Sequence, residues 1–428
     1  MLDLLTDPGQ RMHELATRLF PLNRSLTGEG IRESLKILQE AMPDMTLTEV
    51  PSGTQVNDWV VPQEWWITEA SIRTLDGRTL VDFADCNLHV VGYSESVDAV
   101  MSREELEPHL HSLPSQPDAI PYITSYYERR WGFCLSENQR QALGHGPFRV
   151  RINAGHVDGS LTYGEVLIPG DLEDEVFLSS YLCHPSMANN ELSGPVVMAA
   201  TYQWLKTRPK LKYSYRMFLG PETIGAIAYL SRHQDVLKSR VRAGWVLTCL
   251  GDDRSYSFLP SRLGGTLADR ISEEVLSGRD HRTFSYLDRG SDERQWCAPG
   301  VDLPVCSVMR SKYGTYPEYH TSLDDLSFVS PAGLQGGFDV LVECLSTLED
   351  RPRWRSLVYG EPQLGKRGLY STLSNIGSAM SARPLLNVLA YCDGNHDVNE
   401  LASLTGMSGF QVAEALDVLA REGLICET

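Results

Sequence analysis

The feature that most limits what this chain can become is a long alternation of strand-like and helix-like segments across residues 160–350. Apolar runs at 175–182, 213–219, 245–250 and 303–309 read as strands. Between and after them, 196–205, 224–230, 268–276 and 331–348 carry helical periodicity. Strands alternating with helices predict a mostly parallel, mixed sheet sandwiched by helices, an α/β fold. Pro195, after Ser193-Gly194, stands where a first helical turn tolerates proline.

In an open sheet of this class, ligands gather beyond the carboxyl ends of the strands. Those ends are polar here: Cys183-His184-Pro185-Ser186, Asn190-Glu191-Leu192-Ser193-Gly194, Pro221-Glu222-Thr223-Ile224-Gly225, Leu250-Gly251-Asp252-Asp253 and Tyr319-His320-Thr321-Ser322. Each acid has an ordinary role open to it. Glu191 and Glu222 precede helices, where a carboxylate complements the dipole, and Asp324 and Asp325 stand where acids cap an element. Their coincidence at successive strand ends is what carries weight. Two His with several carboxylates suit a borderline divalent cation, zinc most readily. Cys183 and Cys249 read as small core residues. A Cys183–His184 catalytic pair is not expected, because adjacent strand residues point to opposite faces. No Gly-x-Ser-x-Gly elbow and no phosphate-cradling glycine-rich loop stands out.

Around this core, residues 8–41 read as two helices. From residue 52 to 115 the texture is β-rich, with a hairpin signal at Asp76-Gly77. Residues 107–121 hold four Pro and read as the return linker. The aromatic stretch 122–136 reads either as a packed surface-to-core segment or as a wall of the substrate pocket. The organisation expected is a discontinuous catalytic domain (1–51 and 116–352), the insertion (52–115) and a winged-helix-like domain (370–428). In residues 383–427 Arg383 and Arg421 face Asp393, Asp397, Glu400, Glu414, Asp417, Glu422 and Glu427. Glu414 and Asp417 lie on the helix that would enter a DNA groove, so phosphate repulsion argues for packing or dimerisation instead.

Composition adds limits. With 42% hydrophobic and 22% charged residues the chain is an ordinary globular one. Its formal charge of −18 opposes a nucleic-acid partner. No membrane span and no secretory signal are expected. Nine scattered Cys suggest free thiols and a cytoplasmic location.

The order of these motifs resembles the zinc aminopeptidases with an open α/β exopeptidase fold, a group that includes glutaminyl cyclases. More closely, the chain resembles bacterial aminopeptidase-like domain proteins met beside polysaccharide or specialised-metabolite pathways, which carry a β insertion and a C-terminal winged helix. The resemblance covers nearly the whole chain and rests on CHPSMANNELSG, PETIG, LDRGSDERQWCAPGVDLPVCSVMRSKYG and PEYHTSLDDL. It implies His184 and Asp252 as ligands of one metal, His320 as a ligand of a second, and Glu222 as general base. The family's bridging Asp falls on Asn190 and the second Glu of its pair on Thr223. Asn is neutral and bridges poorly, so Glu191 is expected to substitute. One zinc held by His184, Glu191, His320 and Asp252 is expected, two being the alternative. The metal would lower the pKa of bound water toward about 7, and Glu222 would pass its proton to the leaving amine. Asp292 or Glu293 is assigned to a free α-amino group. Tyr313, Tyr316 and Tyr319 are assigned to the oxyanion, Tyr319 as the catalytic donor. Arg294, with Arg289, Arg310 and Lys312, is assigned to a substrate carboxylate or phosphate. The expected activity is aminopeptidase-like hydrolysis of a small peptide or amide-bearing metabolite. The alternatives are deacylation or acyl transfer on a carbohydrate or metabolite intermediate, glutaminyl-cyclase-like aminolysis, and a non-catalytic scaffold. A homo-oligomer through the insertion or the winged helix is the expected assembly.

Overall fold

The computed structural model describes residues 2–369, 378–394 and 396–427. The chain forms two compact units, residues 1–345 and 346–428. The first is built on an eight-stranded sheet. Its strands run in the order Thr46–Pro51, Ser160–Ile168, Ser214–Gly220, Glu175–Tyr181, Val241–Val246, Val305–Met309, Tyr256–Leu259 and His281–Thr283. The four central strands, from Ser214–Gly220 to Val305–Met309, are mutually parallel. Glu175–Tyr181, Ser214–Gly220 and Val305–Met309 are buried throughout, as strands covered on both faces must be.

One strand ends earlier than its apolar run suggests. Val241–Val246 forms the strand, and 247–250 leaves the sheet. Cys249 takes φ 53°, and the backbone turns to meet Asn189. Cys249 N donates to Asn189 O (3.1 Å) and Gly251 N to Asn189 Oδ1 (2.8 Å). The helix Ser193–Thr207 starts hard against this turn. A Cβ on Gly194 would lie 2.1 Å from Leu247 O, so only glycine fits there.

The Asp76-Gly77 hairpin forms as expected, joining Glu64–Thr74 to Thr79–Asp82. The small sheet it belongs to extends well past residue 115. Its order is Thr79–Asp82, Glu64–Thr74, Phe148–Val157 and Val97–Met101, so its second central strand lies in a stretch assigned to the catalytic domain. The insertion therefore ends near residue 157. Phe148, Val150, Ile152 and Ala154 alternate inward as a half-buried strand should. The Pro-rich stretch before them does not end the insertion. It delivers residues 120–126 to the strand ends, where Tyr122 N donates to His320 O (2.9 Å).

The second unit holds the helices Ser378–Ala390, Val398–Thr405 and Gly409–Arg421. Val388, Leu401, Val412, Leu416 and Leu419 form its core. A wing strand, Ile425–Glu427, pairs antiparallel with Trp354–Ser356, so this unit begins before residue 370. Residues 370–377, within the expected winged-helix segment, lie outside the described residues. Among the described residues no helix is long and apolar enough to cross a membrane, and all nine cysteines are free.

Candidate metal centre

The strand Glu175–Tyr181 ends two residues before Cys183, and the chain then crosses the sheet edge. Because 183–184 lies beyond the strand, alternation no longer applies. Cys183 and His184 both line one cavity, and their Sγ and Nδ1 atoms are 3.5 Å apart. That corrects the expectation that they face opposite ways. Burial holds the Cys183 thiol up at about 11, so at neutral pH it stays protonated.

Behind His184 stands Glu191. Its Oε2 lies 2.7 Å from His184 Nδ1, and its side chain is fully buried. Glu191 sits on a wide π turn, Ala188–Leu192, that runs directly into the helix Ser193–Thr207. Asp324 pins this turn by accepting Asn189 N (2.6 Å) and Asn190 N (2.9 Å), while its own carbonyl accepts Ala188 N (2.8 Å). The other Glu191 oxygen, Oε1, makes no hydrogen bond and lies 3.8 Å from the buried Arg24 Nε. Arg24 Nε also donates to the carbonyl of His184 (3.1 Å). A carboxylate on one imidazole nitrogen fixes the ring's orientation and leaves the other nitrogen for a ligand. Here that other nitrogen, Nε2, is 3.8 Å from Glu222 Oε2.

Glu222 and His320 complete the group. Their ring and carboxylate share a cavity of about 410 Å³ with His184, Thr223 and Arg294. The His184 and His320 ring centroids are 5.2 Å apart. His320 makes no side-chain hydrogen bond with any described residue, and Tyr319 stacks on it at 3.9 Å. Backbone strain concentrates here: Ser186 (φ 48°), Thr223 (φ 64°), Cys249 (φ 53°) and His320 (φ 56°) are all left-handed without being glycine. Such residues cost about 1–3 kcal/mol each and cluster at functional sites. Thr223 is β-branched and the most costly kind. It is held by Asp292 Oδ1, which accepts its N–H (2.7 Å), and by Arg294 Nη2, which donates to its Oγ1 (2.7 Å).

The titration of these groups follows from their neighbours. For His184, burial disfavours the charged ring, but Cys183 and Glu191 outweigh it and the ring titrates well above its ordinary value. With the Cys183 thiol neutral, Glu191 is the partner that acts at neutral pH. Burial and the facing His184 charge hold His320 down at about 3. Burial raises the Glu222 carboxyl, against the pull of His184 and Arg294.

The remaining assigned residues fall elsewhere. Asp252 is absent from the cavity wall. Its two oxygens accept Asn189 Nδ2, Ser311 N, Ser311 Oγ and Arg254 N at 2.9–3.0 Å. Asn190 is tied to Tyr181, whose hydroxyl donates to its Oδ1 (2.9 Å). Asp292 and Glu293 are fully buried beneath the cavity. Glu293 Oε1 accepts Gly290 N, Ser291 N and Tyr313 Oη. Tyr316 donates to Asp324 Oδ2 (3.2 Å). Arg289, Arg310 and Lys312 pack over Tyr286, Tyr256 and Tyr313. Of the assigned substrate residues, Arg294 alone lines the cavity. The aromatic stretch 122–136 proves to be a pocket wall, through Tyr122, Tyr126 and Tyr127. Arg24 had no periodic or motif signal, and Asn189 and Asp324, though within CHPSMANNELSG and PEYHTSLDDL, had none for the turn they fix, since each acts through contacts distant in sequence.

This sheet, with His and carboxylates at its strand ends, is the fold of the zinc aminopeptidases. A zinc aminopeptidase from Bacillus subtilis superimposes with a TM-score of 0.56 at 12% identity, over 79% of this chain and 94% of the other. An M28 peptidase precursor from Shewanella amazonensis gives 0.55 at 12% identity, over 83% and 96%. The chain belongs to the family described as "Domain of unknown function (DUF4910)", which matches residues 13–351, and a winged helix-turn-helix family matches 352–427. A Clostridium acetobutylicum protein, provisionally named a polysaccharide biosynthesis protein with an aminopeptidase-like domain, is 40% identical over 98% of this chain and 97% of its own length. A crystal structure of a provisionally named peptidase from Clostridium acetobutylicum is 39% identical, covering 98% of this chain and 96% of that one, with a TM-score of 0.82.

Proposed function

We propose that the chain is a zinc-dependent amide hydrolase working with one metal ion per chain. The observation that supports it best is the convergence of His184, Glu222 and His320 on one cavity, with Glu191 2.7 Å behind His184. The donor set fits zinc. Two imidazoles face the same space, Glu222 stands beside them as the base, and the backing Glu191 carboxylate fixes the orientation of His184. His184 Nε2, with Glu222 Oε2 at 3.8 Å, and the His320 ring, which makes no side-chain hydrogen bond with any described residue, are the nitrogens a cation would engage. His184 and His320 would hold the ion, with Glu191 orienting His184 from behind. Asp252 and Asn190 are already committed to hydrogen bonds, which favours one ion over two.

When bound, zinc lowers the pKa of a water and polarises an amide carbonyl. Glu222 then takes the water proton and returns it to the leaving nitrogen. Its raised pKa suits a group that must both accept and donate near neutral pH. The clamp of Asp292 and Arg294 on Thr223 keeps Glu222 in place across the step. For the winged unit we propose packing or self-association rather than DNA binding, because Glu414 and Asp417 are exposed on its third helix.

The test is elemental analysis of the dialysed full chain beside hydrolysis of small coumarin amides. About one zinc per chain, with amide cleavage lost on chelation and restored by zinc, supports the reading. A chain that holds no zinc after resupply overturns it.

A further inference from the structure

The wall of the metal cavity carries information on the substrate. Glu222 is its only lining carboxylate among the described residues. A free α-ammonium would need a second one. Asp292 and Glu293, the acids nearest in sequence to that role, are fully buried, with Asp292 Oδ1 on Thr223 N and Glu293 Oε1 on two backbone N–H groups and Tyr313. What the wall offers instead is a cation. The Arg294 side chain is 39% exposed, and Thr223 Oγ1 takes one of its five N–H donors. It forms a long ion pair with Glu222 Oε1 at 3.9 Å, beyond hydrogen-bond range, so that carboxylate takes none of its N–H donors. A guanidinium fixed at one corner and open at the other is a receptor for a carboxylate or phosphate.

Beside the cation the wall is aromatic. Trp59 and Tyr127 are 38% and 56% exposed and meet edge to face at 5.8 Å. Tyr122 and Tyr126 line the cavity with their hydroxyls hydrogen-bonded to each other (2.7 Å). Such a surface accepts a flat ring face and gives nothing to a cationic amine chain except that face.

Resting on the hydrolase reading above, we infer that this cavity takes an N-acylated, anionic, ring-bearing amide, with Arg294 on the anion and the Trp59–Tyr127 pair on the ring. In the reaction one water is consumed. The acyl carbon gains the oxygen, the C–N bond breaks, and the nitrogen leaves as an amine with the proton carried by Glu222. An N-acyl sugar acid and an N-acyl aromatic amino acid share this chemistry.

Calorimetric titration of the zinc-supplemented full chain separates the cases with four probes: N-acetylmuramic acid, N-acetylphenylalanine, N-acetylglucosamine and phenylalaninamide. One or both N-acyl acids should bind at least about tenfold more tightly than the neutral sugar and the free-amine amide. Arg294→Gln should remove that margin, and Arg294→Lys should keep part of it. Trp59→Ala should weaken the preferred acid about fivefold. The tighter of the two acids identifies the ring. Tightest binding of phenylalaninamide, an Arg294→Gln margin equal to that of the wild type, or no binding of any probe overturns the inference. Zinc content of the same samples keeps the two ideas apart. Anion binding without zinc removes the hydrolase and leaves the cavity preference, whereas zinc and amide cleavage with a free-amine preference does the reverse.

Discussion

The strand-end polar cluster has two halves with opposite states of satisfaction. In one, Asn189, Asn190, Asp252 and Asp324 form a closed lattice, with four donors on Asp252 alone. In the other, His184 Nε2 and Glu222 Oε2 stand 3.8 Å apart, Glu191 Oε1 has no hydrogen-bond partner, and the His320 ring has none among described residues. A buried polar group left unpaired costs about 1–3 kcal/mol. The closed half is architecture, with each group already paired. In the open half only Glu191 Oε1 is a buried oxygen without a hydrogen bond, and it faces the Arg24 guanidinium at 3.8 Å, while Glu222 and His320 are partly exposed to the cavity. Sequence motifs place His and Asp alike at strand tips, and only the inventory of partners separates the two halves.

The comparison breaks most visibly at the open half. His320→Ala should take zinc from about one ion per chain to none after dialysis, by elemental analysis, while far-ultraviolet circular dichroism stays unchanged. Glu222→Gln should keep the zinc and lower the amide hydrolysis rate about 10²–10⁴-fold. Loss of the metal instead would make Glu222 a ligand rather than the base. Glu191→Gln should keep His184 in reach and weaken zinc about 10–100-fold, because the carboxylate acts through the imidazole. Complete loss of zinc in that variant would restore Glu191 as a direct ligand. In the closed half, Asp252→Ala should leave zinc content alone and cost about 3–5 kcal/mol in urea unfolding, because four donors lose their acceptor together.

Much of this was legible in the chain. The strand–helix alternation predicts the parallel centre of the sheet, and His184 and Glu222 fall just past strand ends for the reason the fold class gives, whereas His320 comes from the loop between Val305–Met309 and the helix Pro331–Asp350. The Asp76-Gly77 hairpin follows from turn chemistry and pattern. What was not legible depends on long-range partners. Trp245–Leu250 reads as one apolar run, but the tip is recruited by Asn189, some sixty residues away. Residues 148–157 alternate like any half-buried strand, yet their membership in the insertion is fixed by pairing with Glu64–Thr74. Asp292 and Glu293, in Gly290-Ser291-Asp292-Glu293-Arg294, read as acids available to a substrate's free α-amino group. Burial puts them under Thr223, where they support the site and do not meet a substrate.

The smallest effect tests whether the closed half is indeed built of hydrogen bonds alone. Burial lifts the Asp324 carboxyl from its ordinary 3.8 to about 6, against the pull of the Asn189 and Asn190 N–H groups and the Tyr316 hydroxyl. The folded chain therefore holds this proton more tightly than the unfolded one. The stabilisation is complete below pH 3.8 and is lost as the pH rises through about 6. A shift of this size is worth about 2–3 kcal/mol at most. Asp324→Asn cannot titrate, and its single oxygen meets two N–H groups with one acceptor. It should be less stable than the wild type at every pH, with the deficit shrinking by about 2 kcal/mol between pH 4 and pH 7. Urea unfolding of both proteins across that range reads the difference directly, because the other titrating groups are common to both. A deficit that grows with pH would mean the carboxylate, not the acid, is the form the Ala188–Leu192 turn prefers. The Asn189 and Asn190 N–H groups would then outweigh burial, and the closed half would carry a buried negative charge beside the metal site.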